Sequence, residues 1–301
     1  IFFGDVFAVS FLPADPASSD PCISKGDAYL YRFNLECAIG AYPENGGDNN
    51  DKRRKNIGGG IPTRPRISVG DLNGGGGGGE GGGGVLLTSF GSSFGNTAAI
   101  TGGAGGAGGD GLPASPIPGG NGGDGGAGVV FRFPGGGLSN SGAITGGNGG
   151  AGGATQSTGG VGGQGGVGVS GTGISMTNTG AISGGNGGAG GPGIGVAGAG
   201  GIGIVGSDLA IVNSGAISGG SAGDGSTRAA AIRFTGGTNS LELQSGSSIN
   251  GVVDGTLGSN TLILGGAGNA SFNAGDVGAA AAYRGFSTFQ KTGGGTWVLG
   301  G

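Results

Sequence analysis

One phrase recurs through this chain and limits what it can fold into. It reads Asn96-Thr-Ala-Ala-Ile-Thr-Gly-Gly, then Asn140-Ser-Gly-Ala-Ile-Thr-Gly-Gly, Asn178-Thr-Gly-Ala-Ile-Ser-Gly-Gly and Asn213-Ser-Gly-Ala-Ile-Ser-Gly-Gly. Self-similarity at a few tens of residues marks a repeat architecture, in which each unit buries its apolar face against the next. The spacing of the four Asn residues shrinks along the chain, so a segment of variable length lies inside each unit.

Each unit reads as a short apolar strand, a Gly-containing corner, a second alternating strand that ends in the Asn word, and a glycine-rich insert. The first strands are expected at Val85–Thr88, Val129–Phe133, Val167–Val169 and Ile202–Val205, with Ala230–Phe234 in a degenerate unit. Side chains on a strand alternate faces. Leu209, Ile211 and Asn213 therefore share a face, as do Ile174, Met176 and Asn178, Leu138 and Asn140, and Phe94 and Asn96. Stacked as rungs of a parallel β-helix, the units would place these Asn residues in an inward ladder of amides that satisfy one another. Ile100, Ile144, Ile182, Ile217 and Ile249 would stack beside it, and Ser245 marks the expected end of the ladder. The same Asn-Ser-Gly phrase is also turn chemistry. Both readings are structural.

The inserts have a shorter period. Gly-Gly-X triplets run over 102–110, 119–127, 146–154, 159–167 and 184–192. A three-residue period suits an extended helix related to polyproline II, with every X on one edge. A single insert could equally be a disordered loop, because glycine loses the most entropy on ordering. Five inserts leaving the same corner could instead pack side by side.

Ninety glycines among 301 residues, with 13 Phe, one Trp and one Met, exclude an ordinary enzyme core. Collagen is excluded by the absence of a Gly-X-Y frame rich in Pro. The fold class expected is all-β: a parallel β-helix solenoid with Gly-Gly-X inserts, plus a small N-terminal β segment. Thirteen basic and 17 acidic residues give a net charge of −4, which argues against nucleic acid as a partner. The basic run Lys52-Arg53-Arg54-Lys55 lies beside Asp48 and Asp51 and reads as solvated.

The chain has no histidine, hence no Ser-His-Asp or Cys-His arrangement and no imidazole metal ligand. There is no Gly-x-Ser-x-Gly elbow with a base and no P-loop Lys-Ser/Thr. Asp208, Asp224, Glu242, Asp254 and Asp276 are scattered. Residues 105–112 fit a calcium-binding nonapeptide pattern, and 119–124 fit it less well. Such sites need tandem stacked copies, whereas these are isolated within triplets that match by chance. No catalytic residue, cofactor or metal ligand is therefore expected, and the chain is not expected to be an enzyme.

Residues 1–73 stand apart, with most of the charge and both cysteines. Cys22 and Cys37 bracket the strand-like Ala28-Tyr-Leu-Tyr-Arg-Phe-Asn-Leu35 and read as one disulfide, with two free thiols as the alternative. Phe3-Gly-Asp-Val-Phe-Ala8, Asp20-Pro-Cys22, the Tyr-Leu-Tyr strand, Cys37 and Gly58-Gly-Gly-Ile-Pro-Thr-Arg-Pro-Arg-Ile-Ser-Val-Gly70 together resemble the last blades of the PilC/PilY-type β-propeller of type IV pilus tip factors. That resemblance lacks the family's acidic calcium loop. Residues 74–84 read as a polyglycine linker.

The repeat region, 85–301, resembles the passenger domain of bacterial autotransporters. The Asn-Ser-Gly-Ala-Ile words carry the likeness, together with Phe289-Gln-Lys-Thr-Gly-Gly-Gly-Thr-Trp-Val-Leu-Gly300. The composition of the inserts is also similar to mycobacterial PE-PGRS proteins, a weaker match. The autotransporter resemblance implies a secreted right-handed β-helix at the Gram-negative cell surface, exported through an outer-membrane barrel of the same precursor. Ile1 opens the chain without Met, so the sequence reads as a fragment. The function expected is adhesion to host-matrix or cell-surface glycan or protein through many weak contacts. The alternatives are a type IV pilus biogenesis or tip adhesin factor, or a chimeric fusion of the two halves.

Overall fold

The computed structural model describes residues 76–111, 118–155 and 158–301. The calls on Cys22, Cys37, the basic run and the PilC/PilY-like phrases lie outside these residues. What is described is a parallel β-helix in which the sequence units are the rungs.

The first rung is β1 (Val85–Leu87), β2 (Ser93–Asn96) and β3 (Ala99–Thr101). The second is β4 (Val129–Phe131), β5 (Gly137–Asn140) and β6 (Ala143–Thr145). The third is β7 (Val169–Thr172), β8 (Ser175–Asn178) and β9 (Ala181–Ser183). The fourth is β10 (Ile204–Ser207), β11 (Ala210–Asn213) and β12 (Ala216–Ser218). Equivalent strands pair in parallel, in the order β1-β4-β7-β10 along one face, β2-β5-β8-β11 along the next and β3-β6-β9-β12 along the third.

The later rungs change form. β13 (Ile232–Leu243) and β15 (Val253–Leu264) each run unbroken through two faces, so a bend replaces the corner. Register shifts between Arg233 and Thr238 absorb it. β14 (Ser248–Asn250) closes the third face. β17 (Tyr283–Arg284) and β18 (Thr288–Lys291) pair with β15, while β16 (Ala270–Asn273) pairs with β19 (Trp297–Gly300).

Register follows the sequence parity. Ile100, Ile144, Ile182, Ile217 and Ile249 are successive partners on the third face. The core is a thin column of such residues, among them Ile182, Ile204 and Ile211, each 1 % exposed. The inward Asn residues form the ladder. The amide nitrogen of Asn96 donates to the side-chain oxygen of Asn140 at 2.8 Å, Asn140 to Asn178 at 2.7 Å and Asn178 to Asn213 at 2.8 Å.

The turn role is filled by the same side chains. Asn140 Nδ2 also donates to the Gly142 carbonyl and Asn213 Nδ2 to that of Gly215, each two residues on. The ladder ends on Ser247, whose hydroxyl accepts from Asn213 at 2.6 Å. Ser245, expected there, donates instead to the Asn269 carbonyl, because the turn at Gly246 (φ 90°) brings the later serine under the ladder.

Two local rules explain small residues in the word. A Cβ at Gly142 would run into the Ala98 carbonyl, and one at Gly180 into that of Gly142. Each third position of the word lies against the backbone of the rung before. Asn96-Thr-Ala-Ala lies in the first described rung, and it can carry alanine there. At the corner between the first two faces Gly91, Gly135 and Gly173 have φ of 64°, 82° and 64°, and Asp208 takes the same place with φ 53°. Asp tolerates the left-handed region better than most side chains.

Two expected strands begin two residues late, at Val169 and Ile204. Val167 and Ile202 still belong to the last insert triplets, where their carbonyls accept from Gly128 and Gly168.

Candidate interaction surface

The inserts are ordered. Each is a hairpin of two extended arms, one leaving the third face and one returning to the first. The leaving arms span 102–111, 145–154, 184–191 and 218–223, and the returning arms 119–128, 158–168 and 195–203. Residues 76–84, which composition makes a linker, form a further returning arm. No bond is made inside an arm, as expected of a polyproline-like helix. The bonds go to other arms, except at the last rung, where Gly219 donates to the Asn250 carbonyl of β14 and Gly203 to that of Ala230.

The pattern obeys one rule. The first glycine of a triplet donates to an X carbonyl on the parallel arm one rung on: Gly105 to Asn148 and Gly149 to Asn186, each at 2.8 Å. The second glycine donates across to the antiparallel arm that precedes it in the chain: Gly123 to Gly106, Gly150 to Gly123 and Gly163 to Gly150, again at 2.8 Å. The arms thus form a two-layered slab beside the β-helix. Both glycines are required in the inner arms, and alanine takes the first place only at Ala197 and Ala222, in the last arms. A Cβ at Gly102 would strike Gly126, and one at Gly126 would strike Gly82.

X is the place that varies freely, and it lies on the slab's two outer faces. The leaving face carries the exposed columns Ala104, Asn148, Asn186 and Ala107, Ala151, Ala189. The returning face carries Asn121, Val161, Val196 and Asp124, Gln164, Ala199. The X amide hydrogens need acceptors of their own, and Asn or Asp on the rung before supplies them. Asn121 Oδ1 accepts from Val161, Asp124 from Gln164, Asn148 from Asn186, Asn186 from Ser221, and Asp110 from Ala154, at 2.6–2.9 Å. Sequence reasoning did not find this role. Its signal is the Asn or Asp that follows Gly-Gly at matching places in successive inserts.

A second ladder also went unread: Asn239 Nδ2 donates to Asn260 Oδ1 at 2.9 Å, and Asn239 Oδ1 accepts from the Leu209 amide. It lies where β13 and β15 bend.

The carboxylates are spread out and locally used. Asp110 and Asp124, from the calcium-like phrases, each accept a backbone amide from the parallel arm one rung on. Asp208 accepts from Thr238, Glu242 from Gln244 and Asp276 from Asn273. The Ser226 amide and hydroxyl hold the Asp224 carboxyl below its ordinary range. For Asp254, burial is the largest influence and pushes upward. The Thr256 hydroxyl and amide and the charges of Arg233 and Arg284 outweigh it, so the net displacement is downward. Arg233 Nε lies 3.5 Å from Asp254 Oδ2. Burial, then the Asp276 charge, pushes the Tyr283 phenol up to about 12.

Among the described residues no three Asp, Glu, Cys or His side chains gather as a metal would need. An apolar hollow of about 450 Å³ lies between Leu262, Leu264, Phe272, Val277, Phe289 and Leu299, at the last rungs. Arg132 and Arg233 point outward and are exposed, and Phe90 stacks on Phe133 with ring centroids 4.6 Å apart.

The fold and the slab define the class: a parallel β-solenoid with a glycine slab alongside. Set against protein-family models, curated proteins and solved structures, the chain matches none of them. No helix among the described residues is long and apolar enough to cross a membrane.

Proposed function

We propose that this chain is a non-enzymatic, secreted or surface-exposed adhesive β-helix of autotransporter-passenger type, which uses the two faces of its slab as contact surfaces. The observation that carries this reading is the division of labour inside each triplet. Both glycines are consumed by packing, and X is exposed on a repeating grid. Sequence can vary there without disturbing the rungs.

The partners that suit such a surface are glycans or proteins of a host matrix or cell surface. The faces offer amides, small side chains and a few Val residues, but none of the Trp, Tyr or Arg anchors on which tight interfaces rely. Each contact is weak, and useful adhesion comes from many copies acting together. Export through an outer-membrane barrel of the same precursor fits this role.

The test is to immobilise the full chain at low and high density over matrix-protein and polysaccharide surfaces. The comparison is a variant carrying Ala107→Lys, Ala151→Lys and Ala189→Lys, three exposed positions whose side chains make no hydrogen bond. Density-dependent binding that the variant loses supports the proposal. Tight binding that ignores density, or full binding by the variant, sinks it.

A further inference from the structure

The bonding rule of the slab specifies what its leading flank lacks. Gly79 and Gly82 are the second glycines of their triplets in the arm 76–84. Their counterparts one rung on, Gly123 and Gly126, donate to Gly106 and Gly103 of the arm before them. No described residue accepts from Gly79 or Gly82. In the arm 102–111 the carbonyls of Ala104 and Ala107 have no described donor either, whereas their counterparts at Asn148 and Ala151 accept from Gly105 and Gly108.

These two donors and two acceptors face the same place. An arm laid there would run antiparallel to 76–84 and parallel to 102–111, meeting both sets at once. The flank is open: Gly79, Gly82, Ala104 and Ala107 are exposed, while Gly123 and Gly126 are buried. A Cβ at Gly82 would meet nothing within 4 Å.

Residues 1–73 hold no run of Gly-Gly-X triplets. The first glycine of an arm faces the arm that follows it, as Gly81 faces Gly103 and Gly102 faces Gly126, so a Cβ on the first glycine of an added arm would strike 76–84. Two exposed carboxylates, Glu80 and Asp110, flank the place, so an incoming segment with neutral or basic X residues is favoured over an acidic one.

We propose that this flank binds a Gly-Gly-X segment that lies outside residues 1–301, with neutral or basic X residues, which adds one arm to the slab. The recognition is the polyglycine counterpart of strand addition to a sheet edge: main-chain hydrogen bonds give affinity, and the exclusion of a Cβ at the first glycine gives specificity.

The experiment uses the full chain labelled with ¹⁵N and three peptides with blocked ends: four repeats each of Gly-Gly-Lys, Ala-Ala-Lys and Gly-Gly-Glu. With Gly-Gly-Lys, the amide signals of Gly79 and Gly82 move saturably. Ala-Ala-Lys has the same charge but no glycine for the first position, and it binds at least about tenfold more weakly, as does the Gly82→Pro protein, which loses one donor. Proline suits the polyproline-like backbone at Gly82, and an unchanged melting curve verifies the fold. If Gly82→Pro fails to fold, the comparison between peptides still decides. Equal binding of Gly-Gly-Lys and Ala-Ala-Lys, or stronger binding of Gly-Gly-Glu, overturns the proposal. Concentration-dependent self-association in sedimentation, abolished by Gly82→Pro, would give the flank to a second copy and overturn it too.

Discussion

The side-chain amide of Asn140 donates to the side-chain oxygen of Asn178 at 2.7 Å, although 38 residues separate the two in the chain. Each is also tied to its own turn, so one residue type closes a rung and joins it to the next. Asn178→Ala should remove the partner of Asn140 and leave Asn213 Oδ1 without its donor. The expected cost is roughly 1–3 kcal/mol. Asn186→Ala removes only an exposed acceptor for Ser221 and should cost about 0.5 kcal/mol. Thermal melts of the two variants distinguish them, and equal losses would contradict the division between rung and slab.

Glycine at the third position of the Asn word is there because of the neighbouring backbone. Gly180→Ala drives its Cβ into the Gly142 carbonyl, while Gly95→Ala meets nothing within 4 Å. The first should destabilise by about 1–3 kcal/mol or more, and the second should be near neutral in denaturant titration.

Asp208 holds a left-handed corner that glycine fills in three other rungs, and its carboxylate accepts from the Thr238 amide at 2.9 Å. Asn at this position should retain most of the stability. Val, β-branched and unable to accept, should lose about 1–3 kcal/mol. A melt in which Val equals Asn would show that the corner is not strained.

Two groups give stability a pH dependence. The Tyr283 phenol is raised in the folded state to about 12 from an ordinary 10.0. Its contribution is complete below pH 10 and disappears as pH rises toward 12, because the unfolded chain ionises first. Asp254 has the opposite sign, since its folded pKa is lowered. Its contribution is present above the ordinary Asp range and lost as pH falls through the folded value. Tyr283→Phe should flatten the alkaline limb of a stability–pH curve, and Asp254→Asn part of the acid limb. An alkaline limb that Tyr283→Phe leaves unchanged would remove Tyr283 as its source.

Much of the β-helix was legible in the residues. The alternation that puts Ile211 and Asn213 on one face, repeated at Met176 and Asn178, fixes both the inward direction and the register, because a slip of one residue would turn every side chain outward. Repetition then lays like upon like: Ile on Ile in the core, Asn on Asn in the ladder. The slab was legible only as a period. An arm such as 146–154 makes no bond within itself, so nothing local separates an ordered helix from a loose loop. Its order comes from the arms on either side, which belong to other rungs. The place of residues 76–84 in the slab, the choice of Ser247 over Ser245 and the second ladder at Asn239 and Asn260 are of the same kind. Each depends on where a neighbouring rung puts its backbone, and for bonds made wholly between rungs only the tertiary structure supplies that position.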